Sequence, residues 1–137
     1  IFKNKYLTII NDSKSTSFSS SIGVLKANYN IYWLVGGIHK KNDKFILPKK
    51  YYKNIKAFIY GKNKTFFNKN LNKKVTIENF GNLKDALKKI FTIIKKQKMN
   101  HKTILFSPCA ASFDNFKNFE DRGFYFNKLV KRHLNGI

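Results

Sequence analysis

Cysteine is almost missing from this 137-residue chain, which contains only Cys109. A single cysteine excludes an intramolecular disulfide and any zinc site built from several cysteines, and it fits a reducing compartment such as the cytoplasm. Long apolar runs are missing too, since no run approaches the roughly 20 residues that cross a bilayer as a helix. We therefore expect a soluble, globular chain with no membrane partner.

A disordered composition is also excluded, because 42% of the residues are hydrophobic. The length is typical of one domain with a core of its own. The chain opens at Ile1, without an initiator methionine or a signal-peptide pattern. We therefore expect a single domain over residues 1–137, cut from a longer protein.

Acidic residues are scarce, seven against 28 basic ones, and the formal net charge is +21. Such a charge first suggests a nucleic-acid partner. Arginine, which nucleic-acid binders favour for phosphates and guanine, is scarce as well, with only Arg122 and Arg132. The lysines are spread over the whole chain, as a coding bias toward A and T would produce. We therefore expect no nucleic-acid partner, and keep a basic module that binds nucleic acid or an acidic partner as the alternative function.

Two nucleotide-binding motifs, GxGxxG and GxxxxGK[ST], are absent from the sequence. Because those loops cradle nucleotide phosphates, this chain does not hold a nucleotide in either known way. The three histidines, His39, His101 and His133, show no metal-ligand spacing. We therefore predict no metal site in the chain.

Apolar periodicity predicts alternating strands and helices. Runs rich in β-branched and aromatic residues predict strands at Tyr6–Ile10, Ile31–Val35, Ala57–Tyr60, Lys74–Glu78 and Thr103–Phe106. Helical spacing predicts helices at about Ser17–Tyr29, Phe45–Tyr52, Asn63–Asn70, Leu83–Ile94 and Phe119–Leu134. The alternation predicts an α/β fold: a Rossmann-like, doubly wound, mostly parallel sheet of about five or six strands with helices on both faces.

Three unusual loops follow predicted strands, where open α/β sheets bind their ligands. They are residues 11–16 (NDSKST), 36–40 (GGIHK) and 107–119 (SPCAASFDNFKNF). The stretch from Ser107 to Gly123 is too rich in small and polar residues to be core, which favours ligand binding. Its acidic residues Asp114, Glu120 and Asp121 are interpreted as pairing with Arg122 to shape the loop.

Together these strings resemble the carboxy-terminal domain of the Mur ligase family, in its D-glutamate-adding branch. The family patterns are NDSKATN, GGxxK and SPACASFDxFxNFExRG, and this chain matches them in order and spacing over essentially its whole length. The third pattern is long and specific, NDSK is moderately so, and GGxxK alone is weak. The departures are Ser15 and Ser17 in place of Ala and Asn, and Cys109-Ala110 in place of Ala-Cys.

The resemblance implies a mechanism for a complete enzyme of three domains: a UDP-binding domain, a central ATPase domain and a Rossmann-like third domain that closes over the site. ATP phosphorylates the carboxylate of UDP-N-acetylmuramoyl-L-alanine, and the amine of D-glutamate attacks the acyl phosphate, in peptidoglycan biosynthesis. This chain looks like the third domain alone. ATP and Mg²⁺ would then be bound mainly by the missing central domain and neither by this domain alone. The isolated domain would be inactive, and the enzyme a bacterial, cytoplasmic monomer.

The resemblance also assigns site residues by motif position. The residues that match D-glutamate-binding positions are Lys14, Thr16, Lys40, Ser112, Phe113 and Phe119. Asp12 and Lys14 match nucleotide-binding positions, and Lys14 is the catalytic candidate, offsetting charge on the transferred phosphoryl group. The chemistry agrees, because the two carboxylates of D-glutamate call for ammonium groups and for hydroxyl or backbone donors from different loops.

Each assigned residue also has a structural alternative. Lysines are mostly solvated surface residues, Thr16 and Ser112 can cap helices, and Asp12 can be a turn residue. Phe119 is interpreted as partly core, with its backbone rather than its ring facing the ligand. Cys109 is interpreted as a small buried residue.

Overall fold

The computed structural model describes residues 2–97, 100–111 and 116–134. Its strands are β1 (Phe2–Lys3), β2 (Leu7–Asn11), β3 (Ile31–Gly36), β4 (Ile38–His39), β5 (Ile55–Tyr60), β6 (Thr76–Phe80), β7 (Lys102–Phe106) and β8 (Ala110–Ala111). Six of them form one sheet in the order β1-β2-β7-β3-β5-β6, in which only the β1–β2 pair is antiparallel. A separate antiparallel ladder joins β4 to β8.

Helices cover both faces of this sheet. In the described residues they are α1 (Ile22–Lys26), α2 (Lys64–Leu71), α3 (Leu83–Lys96) and α4 (Phe119–Leu134). Phe91 of α3 and Phe126 of α4 belong to one buried apolar cluster, and Leu25 of α1 and Phe67 of α2 belong to the other. The predicted mostly parallel, helix-covered sheet is therefore confirmed. None of these helices is both long and apolar enough to cross a membrane.

The central strands show why the sheet has two cores. Every residue of β3 and of β7 is buried, as in parallel strands covered by helices on both faces. Successive side chains of a strand point to opposite faces, so Trp33 packs in the cluster of α1 and α2 and Leu34 in that of α3 and α4. One continuous apolar run is thereby divided between the two cores.

The helix predicted at Ser17–Tyr29 is only partly present. The structure has a 3-10 turn at Ser19–Ser21 followed by the five-residue α1, and Tyr29, predicted on the apolar face, is 71% exposed. Asn30 has a φ of 50°, in the left-handed region, and it turns the chain into β3. The Ser21 side chain makes no capping hydrogen bond to α1, whereas Ser17 Oγ accepts a hydrogen bond from the Ser20 N–H at 3.4 Å.

The short helix predicted at Phe45–Tyr52 is displaced toward β5. Phe45 and Leu47 are buried core residues outside any helix, and a 3-10 helix begins only at Lys49. Pro48 lies between Leu47 and this helix. The residue before a proline is disfavoured in the α conformation, so the helix cannot easily begin before Pro48. The strands β1, β4 and β8 lie outside the prediction, because two residues are too few to show a periodicity.

Candidate ligand site at the carboxyl edge of the sheet

The three motif loops leave the sheet side by side. Strands β2, β7 and β3 are adjacent and parallel, and their ends are nearly level because Asn11 and Leu34 both pair with Phe106. The second and third loops are joined at once, since the Gly36 N–H donates to the Pro108 carbonyl at 3.1 Å. The sheet topology therefore places all three loops at one edge.

The ladder of β4 and β8 also joins the second loop to the third. Ile38 lies opposite Ala111 and His39 opposite Ala110. Lys40 is the next residue after β4, and it is exposed. The backbone that leads to Lys40 is therefore held against the third loop rather than left as a free excursion.

A buried network of hydroxyl groups links the first loop to the third. The Oγ atoms of Ser15 and Ser21 lie 2.7 Å apart, and Ser21 Oγ also bonds to Ser107 Oγ and lies 3.0 Å from Cys109 Sγ. Ser107 Oγ donates to the Asp12 carboxylate at 2.8 Å. The segment from Ser15 to Ser21 is therefore packed against the third loop and connects it to the first.

The carboxyl group of Asp12 lies at the end of this network. Burial raises its pKa above the ordinary value, while the hydrogen bond from Ser107 and the positive charge of Lys14 act in the opposite direction. Its backbone carbonyl accepts a hydrogen bond from the Ser15 N–H at 3.0 Å, so Asp12 also serves as a turn residue. Both roles hold the carboxylate in a defined orientation at the loop.

Helix α4 packs its first turns onto the first loop. Ser13 Oγ donates to the Phe119 carbonyl at 2.6 Å, and Asn11 Nδ2 donates to the Gly123 carbonyl at 3.0 Å. A Cβ added at Gly123 would lie 3.3 Å from the Ser13 Cβ, so glycine permits this close approach. The N-terminus of α4 is therefore fixed beside the NDSKST loop.

An open cleft of about 230 Å³ lies between the first loop and α4. Lys14, Phe119 and Phe124 are among its lining residues. Phe119, interpreted from the sequence as partly core, is 42% exposed and belongs to neither apolar cluster, and Phe124 is 70% exposed. The cleft therefore combines aromatic surface with one cationic residue, Lys14, and one acidic residue, Glu120.

Comparison with known proteins adds sequence relatives to this geometry. No protein-family model matches the chain. The curated relatives include proteins named UDP-N-acetylmuramoylalanine–D-glutamate ligase. The Rickettsia felis protein is 39% identical over 127 residues, which cover 93% of this chain and 28% of that protein. The Hydrogenobaculum protein is 38% identical over 131 residues (94% and 31%), and the Prochlorococcus marinus protein is 37% identical over 143 residues (98% and 29%).

The chain belongs to this D-glutamate ligase family. The motif resemblance is thus confirmed by identity that extends over nearly the whole chain. The chain spans less than a third of the length of these relatives, which is consistent with a carboxy-terminal domain fragment. The alternative of a basic interaction module has no support among them.

The structure brings only some of the residues assigned from the D-glutamate ligase motifs together. The assigned residues that it describes are Asp12, Lys14, Thr16, Lys40 and Phe119, whereas Ser112 and Phe113 lie outside the described residues. Lys14 and Phe119 line the same cleft. Thr16 is exposed on the first loop, and Lys40 is exposed beyond β4. The loops meet, but these two side chains are not among those lining the cleft.

Arg122 is a residue of this site whose contacts are not predictable from its neighbours in the sequence. Its guanidinium is 1% exposed and donates to the backbone carbonyls of Ser13 and Ala110, on the first and third loops. Of its three predicted partners Asp114, Glu120 and Asp121, the first lies outside the described residues. The sequence feature that could have pointed to Arg122 is its rarity, because it is one of two arginines in a chain rich in lysine.

Cys109 is expected to be unreactive in the folded chain. Burial raises the pKa of its thiol to about 12, against the opposing effect of the hydrogen bond with Ser21. Because the thiolate is the reactive form, we expect a disulfide reagent at pH 8 to label Cys109 at least about a hundredfold more slowly in the native chain than in urea. Equal labelling rates in the two conditions would show that the thiol is accessible.

Proposed function

We propose that this chain is the carboxy-terminal domain of an ATP-dependent ligase that adds D-glutamate to UDP-N-acetylmuramoyl-L-alanine. The observation that supports it most directly is the junction of three motif loops at one sheet edge, in a chain that such ligases match over 93% of its length. The domain supplies the D-glutamate contacts and part of the ATP contacts. The UDP-binding and central ATPase domains belong to the rest of the ligase.

The side chains on the loops suit an amino acid with two carboxylates. Lys14 and Lys40 are exposed cations on different loops, so each can pair with a different carboxylate of D-glutamate. Thr16 and Ser112 provide hydroxyl donors on the first and third loops. Donors that come from separate loops can surround a small ligand, and hydroxyl groups add direction to the attraction of the charges.

Backbone donors complete the proposed D-glutamate site at Phe113 and Phe119. Phe119 is the first residue of α4, so its N–H has no acceptor within the helix. The N-terminus of a helix also has partial positive charge, which favours a carboxylate. Ser13 holds this helix end in place through the Phe119 carbonyl.

The nucleotide side of the site is assigned to Asp12 and Lys14. Lys14 is the proposed catalytic residue, because its ammonium group can offset negative charge on the phosphoryl group as the acyl phosphate forms. Asp12 is proposed to face the nucleotide near its ribose and phosphates, where ribose hydroxyls can donate to a carboxylate. The hydrogen bond from Ser107 to Asp12 would keep that acceptor in place.

ATP and Mg²⁺ are proposed to bind mainly on the rest of the ligase. This chain contains neither standard nucleotide-binding motif. In its described part, no three His, Cys, Asp or Glu side chains are placed to hold a metal ion. We expect the isolated chain to be inactive. We place the ligase in the bacterial cytoplasm, as a monomer.

Joining the chain to the UDP-binding and ATPase domains is expected to give an enzyme whose ADP release needs both substrates. The physical reason is that the acyl phosphate forms on UDP-N-acetylmuramoyl-L-alanine and turns over only when D-glutamate attacks it. A coupled ADP assay with each substrate omitted in turn measures this, with the isolated chain as the inactive control. ADP release that does not depend on D-glutamate would contradict the proposal.

A further inference from the structure

Arg122 bonds to two of the motif loops at once. Its Nε donates to Ser13 Oγ at 3.2 Å, one terminal nitrogen donates to the Ala110 carbonyl at 2.9 Å, and the other donates to the carbonyls of Ser13 and Ser15. We propose that Arg122 is a positioning residue for D-glutamate binding, which sets the spacing between the first and third loops. This inference rests on the proposed function of the chain.

The chemistry of arginine fits this position better than that of lysine. The chain has 28 basic residues, of which only Arg122 and Arg132 are arginine, and Arg132 is exposed in the last turn of α4. A guanidinium holds its donors in a rigid planar fork, whereas an ammonium is a compact point charge. The fork reaches carbonyls on two loops at the same time. Arginine at a buried junction of a lysine-rich chain therefore indicates a need for that geometry.

The accepting carbonyls lie next to the two cations proposed to hold D-glutamate. Ser13 and Ser15 flank Lys14, so bonds to both residues hold the backbone on each side of it. Ala110 lies in β8, which pairs with the strand that ends directly before Lys40. One guanidinium thereby fixes the backbone of Lys14 relative to that of Lys40.

The spacing of the two cations matters because D-glutamate offers its two carboxylates over a limited range of separations. Cations held too far apart or too close together cannot pair with both carboxylates. A shift of about 1 Å in a positioning group can cost about a hundredfold in an enzyme-catalysed reaction. Arg122 would therefore affect D-glutamate binding without touching the ligand.

Arg122→Lys in the complete ligase tests the inference. Lysine keeps the charge but does not bridge both loops, so the KM for D-glutamate is expected to rise by about tenfold or more. The KM for UDP-N-acetylmuramoyl-L-alanine should stay within about twofold of the parent value, because the binding site for that substrate belongs to other domains. Arg132→Lys is the matched control, the same exchange at an exposed position of the same helix, and should change neither KM.

A purely structural role for Arg122 makes a different prediction. In that case Arg122→Lys lowers the melting temperature but leaves the D-glutamate KM of the folded enzyme unchanged, and this result would overturn the inference. If Arg122→Lys does not fold, Arg122→Gln takes its place, because its neutral amide leaves no unpaired charge in the buried position and is too short to bridge both loops. We then expect a rise in the D-glutamate KM of about tenfold or more as well, and no rise would reject the inference.

Lys40→Ala separates this inference from the proposed function. If Lys40→Ala raises the D-glutamate KM and Arg122→Lys does not, the positioning role is rejected and the proposed function stands. If neither substitution affects the D-glutamate KM, the proposal that this domain supplies the D-glutamate contacts fails together with the positioning role. If both substitutions raise the D-glutamate KM, the proposed function and the positioning role of Arg122 are both supported.

Discussion

Lys40→Ala is expected to raise the KM for D-glutamate by about ten- to a hundredfold in the complete ligase. A hydrogen bond to a charged group contributes about 1.5–3 kcal/mol, and each 1.4 kcal/mol corresponds to about a factor of ten in affinity. Lys40 is exposed directly after β4, so its removal takes a cation from the site and leaves the core intact. Initial rates with D-glutamate varied at saturating nucleotide substrates measure the effect.

The neighbouring Lys41 provides the control for charge alone. Lys41 is also exposed, and Lys41→Ala removes the same charge from the next residue. We expect its D-glutamate KM to stay within about twofold of the parent value, because a distant surface charge is screened by salt. Equal effects of the two substitutions would indicate a general electrostatic attraction, and no effect of Lys40→Ala would show that the assignment of Lys40 is wrong.

Gly36→Ala is expected to destabilise the chain by about 3 kcal/mol, or to prevent folding, because it overpacks the interior. An added Cβ would lie 2.2 Å from the Tyr60 carbonyl oxygen and 3.1 Å from its carbonyl carbon. Both atoms belong to the backbone of β5, which is paired with β3 at this residue and cannot move aside cheaply. Urea denaturation followed by the fluorescence of the single tryptophan, the buried Trp33, measures the loss.

Gly23→Ala is the matched control for the exchange of glycine by alanine. No atom lies within 4 Å of a Cβ added at Gly23, which is exposed in α1. Alanine favours helix over glycine by up to about 1 kcal/mol, so we expect Gly23→Ala to be neutral or slightly stabilising. A Gly36→Ala variant as stable as Gly23→Ala would contradict the close strand packing at Gly36. The first glycine of the GGIHK motif would then need an explanation other than space.

The parts of the fold that the sequence predicts are those written in local patterns. The apolar runs around Trp33 and Leu105 predict buried strands, and the spacing from Leu83 to Ile94 predicts a helix that the structure has at Leu83–Lys96. The error at Ser17–Tyr29 has a physical cause. Apolar residues there fall at helical spacing, but the buried serine hydroxyls bond to one another and to the third loop, and tertiary contacts override the weak helix propensity.

The candidate site divides in a similar way. Lys14, Lys40 and Phe119 are named by motif position, before any contact is known, because motifs record residue types and spacing. The contacts of Arg122 are not predicted, because the acidic residues next to it in the chain favour a different pairing. Its carbonyl acceptors on the first loop lie more than a hundred residues away in the chain, beyond the reach of any local rule.

The sequence by itself determined the alternation of strands and helices, the identity of the three loops and the resemblance to the Mur ligases, because each is a property of order along the chain. Only the tertiary structure decided that β7 lies between β2 and β3, that β4 pairs with β8, and that Arg122 bridges the first and third loops. Those features depend on which buried surfaces and backbone groups meet when both faces of the sheet are covered. Which strands and loops become neighbours depends on packing over the whole core, so no single stretch of the sequence shows it.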